Sequence, residues 1–156
     1  MSTIALRGGV KMKADIEKVV AHVRQNAQSK STRWCAKYVR LALQAGGAEL
    51  KHYPSSAKDY GPTLNQIGFH EMFYWSGSVG QPVGPDKNCR IVNQSYEYVP
   101  KKGDVVVIQP YPSGDKHGHI AIHTGTEWIS DFVQRDMWAG PGYRKNKPSF
   151  MAFRQR

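Results

Sequence analysis

Residues 119–133 read HIAIHTGTEWISDFV. Two runs rich in β-branched and aromatic residues, 119–123 and 127–133, flank Thr124-Gly125-Thr126. A short connection containing Gly between two such runs predicts a β-hairpin. Along the first run His119, Ala121 and His123 project to one face, and Ile120 and Ile122 to the other. A turn centred on Gly125 sets His119 opposite Asp131. Directly opposed residues share a face, with Cβ atoms roughly 5 Å apart. The pattern therefore predicts a carboxylate beside an imidazole, an arrangement that a slip of one residue would undo.

Upstream of this hairpin, Val105–Ile108 is a further β-branched run, introduced by the turn Pro100-Lys101-Lys102-Gly103-Asp104. The first third of the chain has helical spacing instead. Ile16, Val19, Val20 and Val23 form an apolar stripe within residues 13–27. A second helix is predicted over 33–45, ended by Gly46-Gly47. Residues 48–98 contain many Gly and Pro, which predicts a loop-rich stretch with a short helix near 56–67. Helices followed by strands imply an α+β domain, with N-terminal helices packed on an antiparallel sheet. At 156 residues the chain fits one domain, 1–156, with a core large enough to fold without staples.

The net charge of +10 suits polyanions in general, among them nucleic acid, anionic lipid and anionic wall polymers. Aromatic and basic residues are dispersed and match no nucleic-acid-binding motif, so a nucleic-acid partner is not expected. There is no apolar run long enough for a membrane span, and Met1–Lys13 does not read as a cleavable signal peptide. Two cysteines, Cys35 and Cys89, are too few for a disulfide scaffold, although they could pair once.

Cys35 falls in the first turn of the second predicted helix if Ser31 or Thr32 is its N-cap. Free N–H groups and the helix dipole favour an anion there, which would lower the thiol pKa. Arg33 and Lys37 could add to this effect. The same N–H groups could receive the oxyanion of a tetrahedral intermediate. A plain buried thiol is the alternative. His119 supplies a base, and Asp131 could orient it. A metal site among His117, His119 and His123 is disfavoured. Four residues of strand span roughly 13 Å, too far for His119 and His123 to share an ion.

The ordered set of Cys35 in RWCAKYVRLAL, Gly103-Asp104-Val105-Val106, Gly118-His119-Ile120-Ala121-Ile122 and Asp131 on the next strand resembles the CHAP family. These are cysteine, histidine-dependent amidohydrolases/peptidases of the papain-like superfamily. The resemblance spans about residues 30–135. It implies a papain-like CHAP fold and hydrolysis of amide bonds in the peptide stems or cross-links of peptidoglycan. Cys35 would be the nucleophile, His119 the base and Asp131 the third member, with no metal or organic cofactor. Trp34 stands where many members carry Gln as an oxyanion donor, so that donor must come from elsewhere. Trp34 and Tyr38 are candidate substrate contacts.

The segments 55–62 (SSAKDYGP), 106–112 (VVIQPYP) and 130–144 (SDFVQRDMWAGPGYR) are similar to those of stand-alone amidase effectors of the type VI secretion system. That narrower resemblance implies an antibacterial monomer acting in the periplasm of a target cell. A cognate immunity protein and a component of the secretion machine would be its partners. A phage endolysin of the same chemistry satisfies the same observations.

Overall fold

The computed structural model describes residues 13–77 and 98–156 with their side chains and, between them, the backbone of 81–85 and 91–93. Cys89 lies outside the described residues; Cys35 is a free thiol. The chain forms α1 (Ile16–Asn26), α2 (Cys35–Ala45), a 3-10 turn (Ala57–Asp59), α3 (Gly61–Gln66), β1 (Phe69–Ser76), β2 (Gln81–Pro85), β3 (Ile91–Asn93), β4 (Val105–Ile108), β5 (His119–His123), β6 (Trp128–Ile129), α4 (Pro141–Asn146) and β7 (Phe150–Gln155). The strands make one sheet in the order β3-β2-β1-β7-β4-β5-β6, every pair antiparallel. The expected α+β architecture, helices on an antiparallel sheet, is present.

The loop-rich expectation for 48–98 is corrected. That stretch contains β1, β2 and β3, and β1 pairs with β7 next to the centre of the sheet. The sequence conceals β1 because its register shifts between Glu71 and Phe73. Such a bulge reverses the in–out parity, so the run FHEMFYWS lacks the alternation of an ordinary strand.

β4 is buried on both faces, which explains its unbroken Val-Val-Val-Ile. Val105 and Val107, with Ile120 and Ile122 of β5, meet Val19, Val23, Val39 and Leu43 of the helices. Burying an aliphatic side chain of this kind stabilises the fold by roughly 1.5–3 kcal/mol. Val106, Ile108 and Ala121 enter a second core, with Phe73, Trp128, Tyr143 and Phe150, on the other side of the sheet. The helices thus cover one face, and the segment leading into α4 covers the other.

Two short signals acquire a structural reason. Asp104, fully buried, forms a two-pronged ion pair with Arg154 of β7 (both N···O 2.8 Å) and accepts from the Tyr98 hydroxyl at 2.7 Å. It pins the start of β4 to the last strand. Gly118 has φ +70°, and a Cβ there would run into the carbonyl oxygen of Ile108. Only glycine lets the chain pass this close and enter β5 at His119.

Candidate active site

Asp131 builds the loop that delivers Cys35. Its fully buried carboxylate accepts through Oδ2 from the Thr32 N–H (2.5 Å), the Thr32 hydroxyl (2.8 Å), the Trp34 N–H (3.4 Å) and the Ser31 hydroxyl (3.5 Å). Oδ1 accepts from the Ser130 hydroxyl at 2.9 Å. Arg33, between the two backbone donors, has φ 67°. That left-handed residue turns the N–H groups on either side of it toward one anion. A non-glycine residue held there costs on the order of 1 kcal/mol. Burial would raise the Asp131 carboxyl, but the Thr32 and Ser130 donors outweigh it and hold the group below the ordinary 3.8.

This network corrects the expected helix cap. Thr32 and Ser31 are drawn to Asp131, α2 starts at Cys35, and its N-cap is Trp34, which makes no side-chain cap bond. The N-cap side chain therefore leaves the N–H groups of the first turn uncapped.

The pairing of Asp131 with His119 is also corrected. β5 and β6 pair Ile122 with Ile129 and His123 with Trp128, so the turn is centred between Gly125 and Thr126. The ladder then ends at a bridge between Ile129 and Val133. Asp131 leaves the hairpin face and turns to the 31–34 loop. The side chain bonded to His119 is Gln134, whose Oε1 lies 2.7 Å from Nε2. The Gln134 amide nitrogen donates to the carbonyls of Asp136 (2.9 Å) and Met137 (3.2 Å). Those two bonds fix which way the amide points. Its oxygen can only accept, so the imidazole carries its proton on Nε2 and leaves Nδ1 as a base. Burial lowers the His119 pKa below the ordinary 6.5, while Gln134, Asp131 and Asp115 pull the other way.

Cys35 and His119 line one cleft of about 680 Å³. Burial pushes the Cys35 thiol up from 9.0 to about 11, against the backbone N–H groups of Ile120 and Ala36, with Asp131 and Asp115 adding to the rise. The Ile120 N–H belongs to the residue after His119 on β5. The expected lowering of the thiol by the helix start is thus outweighed by desolvation. Near pH 7 the two groups are a neutral thiol and a neutral imidazole.

Trp34 lines the cleft and is 62% exposed, with the Lys37 ammonium 5.8 Å from its ring. Tyr38 is not among the residues that line this cleft. Side chains that sequence reasoning passed over do line it: Arg40, Tyr53, Tyr60, Tyr111, Asp115 and Tyr143. Among the described residues the buried hydroxyls of Tyr60 and Tyr143 have no partner of good hydrogen-bond geometry. The Tyr143 ring meets Tyr111 edge-on at 4.9 Å and lies 6.0 Å from the imidazole. Burial raises its phenol first, with Asp115 and Cys35 acting in the same direction. No periodic signal marks Gln134 or Tyr143, because both sit in irregular chain or a short helix brought to the site by distant contacts.

His117 and His123 are engaged elsewhere. His117 Nδ1 is 2.6 Å from the Ser56 hydroxyl, and the His123 ring meets Trp128 edge-on at 4.8 Å. Among the described residues no three His, Cys, Asp or Glu side chains converge as a metal site. No described helix is long and apolar enough to cross a membrane.

No protein-family model and no curated protein matches the chain. Solved structures do. The type VI native effector–immunity complex Tae3–Tai3 from Ralstonia pickettii contains a chain 36% identical, with TM-score 0.71; the match covers 91% of this chain and 99% of that one. The selenomethionine form of the complex matches at 37% identity and TM-score 0.68, over 88% of this chain and 99% of that one.

Proposed function

The chain belongs to the family of the type VI effector Tae3, and from that premise we propose that it is a cysteine amidase of the papain-like CHAP type, an antibacterial effector that cuts amide bonds in the peptide stems or cross-links of peptidoglycan. The observation that carries this reading is the protonation pattern of the cleft. Gln134 holds the His119 proton on Nε2, which leaves Nδ1 basic in the cleft that the free Cys35 thiol lines.

The chemistry follows from those groups. Nδ1 of His119 takes the thiol proton as Sγ attacks the substrate carbonyl carbon. The proton then passes from the imidazolium to the leaving amine as the C–N bond breaks. Water, activated by the same imidazole, hydrolyses the thioester and releases a carboxylic acid and the thiol. Asp131 acts as a positioning residue for the Cys35 loop, and Gln134 takes the orienting place that Asp131 was expected to fill. N–H groups at the start of α2, which no N-cap side chain covers, and the Tyr143 hydroxyl receive the oxyanion. That hydroxyl answers the substitution of Trp34 for the Gln of many CHAP members. Trp34 provides an apolar wall for the sugar–peptide chain.

The protein would act in the periplasm of a rival cell after passage through a secretion-machine component. The effector–immunity complexes of its relatives support a cognate immunity protein as a further partner. Mass spectrometry of fragments released from purified peptidoglycan tests the reading. Wild type is expected to release peptide or cross-link fragments, with Cys35→Ala and His119→Ala folded and at least 10³-fold slower, roughly the scale of losing a nucleophile or its base. Equal release by Cys35→Ala would sink the reading.

A further inference from the structure

We propose that the end of the cleft formed by Arg40, Tyr53 and Tyr60 is a subsite for a free carboxylate of the substrate. The inference rests on the peptide-amidase reading and assigns its substrate a negative charge near the scissile bond.

Arg40 lies on α2 five residues beyond Cys35, about 7.5 Å along the helix axis at 1.5 Å per residue. Its guanidinium lies over the Tyr53 ring, 4.2 Å from the centroid, a contact that holds it in the cleft. Among the described residues it forms no ion pair, and the acceptor that its N–H groups approach is the Tyr60 hydroxyl oxygen. Beside it stands the Tyr60 hydroxyl, on a side chain with no exposed surface, and its O–H finds no acceptor of good geometry among the described residues. Burial raises the Tyr60 phenol, and Arg40 pulls it the other way, so the guanidinium faces that oxygen without closing a bond of good geometry.

The inventory is one-sided. A guanidinium has five N–H donors and no acceptor, and the phenol has a spare O–H. The guanidinium has N–H donors to spare beyond the one facing Tyr60, the phenol O–H lacks an acceptor, and the Arg40 charge has no ion-pair partner among the described residues. A carboxylate supplies two acceptor oxygens, the charge, and the planar geometry that arginine matches with paired bonds. The acid that lines the same cleft, Asp115, does not fill this role. Its field acts on Tyr143, Cys35 and His119, whereas Tyr60 responds to Arg40, Tyr53 and Cys35. Asp115 also accepts the His117 N–H at 2.9 Å. A carboxylate is therefore drawn to the Arg40 guanidinium rather than to Asp115.

The test uses synthetic stem peptides bearing free carboxylates and the same peptides with each carboxylate converted singly to a carboxamide. Affinities are measured by calorimetry on the full chain carrying Cys35→Ala, which prevents turnover. One carboxamide is expected to bind 10- to 100-fold more weakly, the range for a charge-assisted pair in a partly buried site. Adding Arg40→Gln should abolish that discrimination, Arg40→Lys should restore part of it, and Tyr60→Phe should reduce it several-fold. Thermal unfolding of each variant shows whether it is folded. Equal binding of all peptides, or discrimination that survives Arg40→Gln, overturns the subsite while leaving the amidase reading intact. Peptides that are neither bound by Cys35→Ala nor cleaved by wild type overturn both.

Discussion

Two buried carboxylates in this protein are stabilised in different ways. Asp104 at the start of β4 faces a cation, Arg154, in a two-pronged pair, with the Tyr98 hydroxyl as a further donor. Asp131 beyond β6 has no cation among its partners and is held by hydroxyl and backbone N–H donors from Ser130 and the 31–34 loop. A charge pair joins two strands and serves stability. A carboxylate satisfied by a loop's own donors dictates the shape of that loop, and here the loop ends at Cys35. The difference teaches that burial and charge alone do not tell the two acids apart; the identity of their donors does.

The largest effect should come from Arg154→Met, which leaves the Asp104 carboxylate buried without its cation. A loss of about 3 kcal/mol in urea unfolding is expected, with turnover per folded molecule unchanged. Reduced turnover in the folded variant would break the contrast. Asp131→Asn should cost less stability, about 2 kcal/mol, because an amide nitrogen now meets converging donors. It should also lower kcat/KM at least tenfold, since the Cys35 loop shifts. Stability loss without any kinetic change would make Asp131 a second Asp104.

The strained residue between the donors sharpens the same point. Arg33→Val is expected to destabilise by about 1–2 kcal/mol, as a β-branched side chain resists positive φ, while Arg33→Gly stays within about 0.5 kcal/mol of wild type. Equal losses would show that φ at Arg33 does not matter.

The smallest effects concern pH. The folded-state pKa of His119 lies below 6.5, so the unfolded chain takes up the proton first. The stability associated with a neutral His119 is present above pH 6.5 and is lost as pH falls toward the lowered value. Asp131, held below 3.8, contributes stability that is present above that value and lost as pH falls through its folded-state pKa. Unfolding measured between pH 8 and pH 3 should therefore weaken in two successive windows. Gln134→Glu places an anion on the imidazole and should raise its pKa, moving the acid limb of kcat/KM to higher pH. An unmoved limb would remove Gln134 from the orienting role.

The sequence by itself determined the local elements. Val19, Val20 and Val23 at helical spacing, the Val-Val-Val-Ile run of β4 and the alternation of 119–123 each express burial within a few residues of chain. It also marked Cys35 and His119, because a helix start and a Gly-His strand start are local patterns. Tertiary structure alone decided β1, whose bulge erases the period, and the hairpin register, which moved Asp131 from the imidazole to the loop before Cys35. It also decided Gln134, Arg40, Tyr60 and Tyr143. Their roles depend on which donors and acceptors burial leaves facing one another across the cleft, and pairings between chain segments so far apart leave no period in a single sequence.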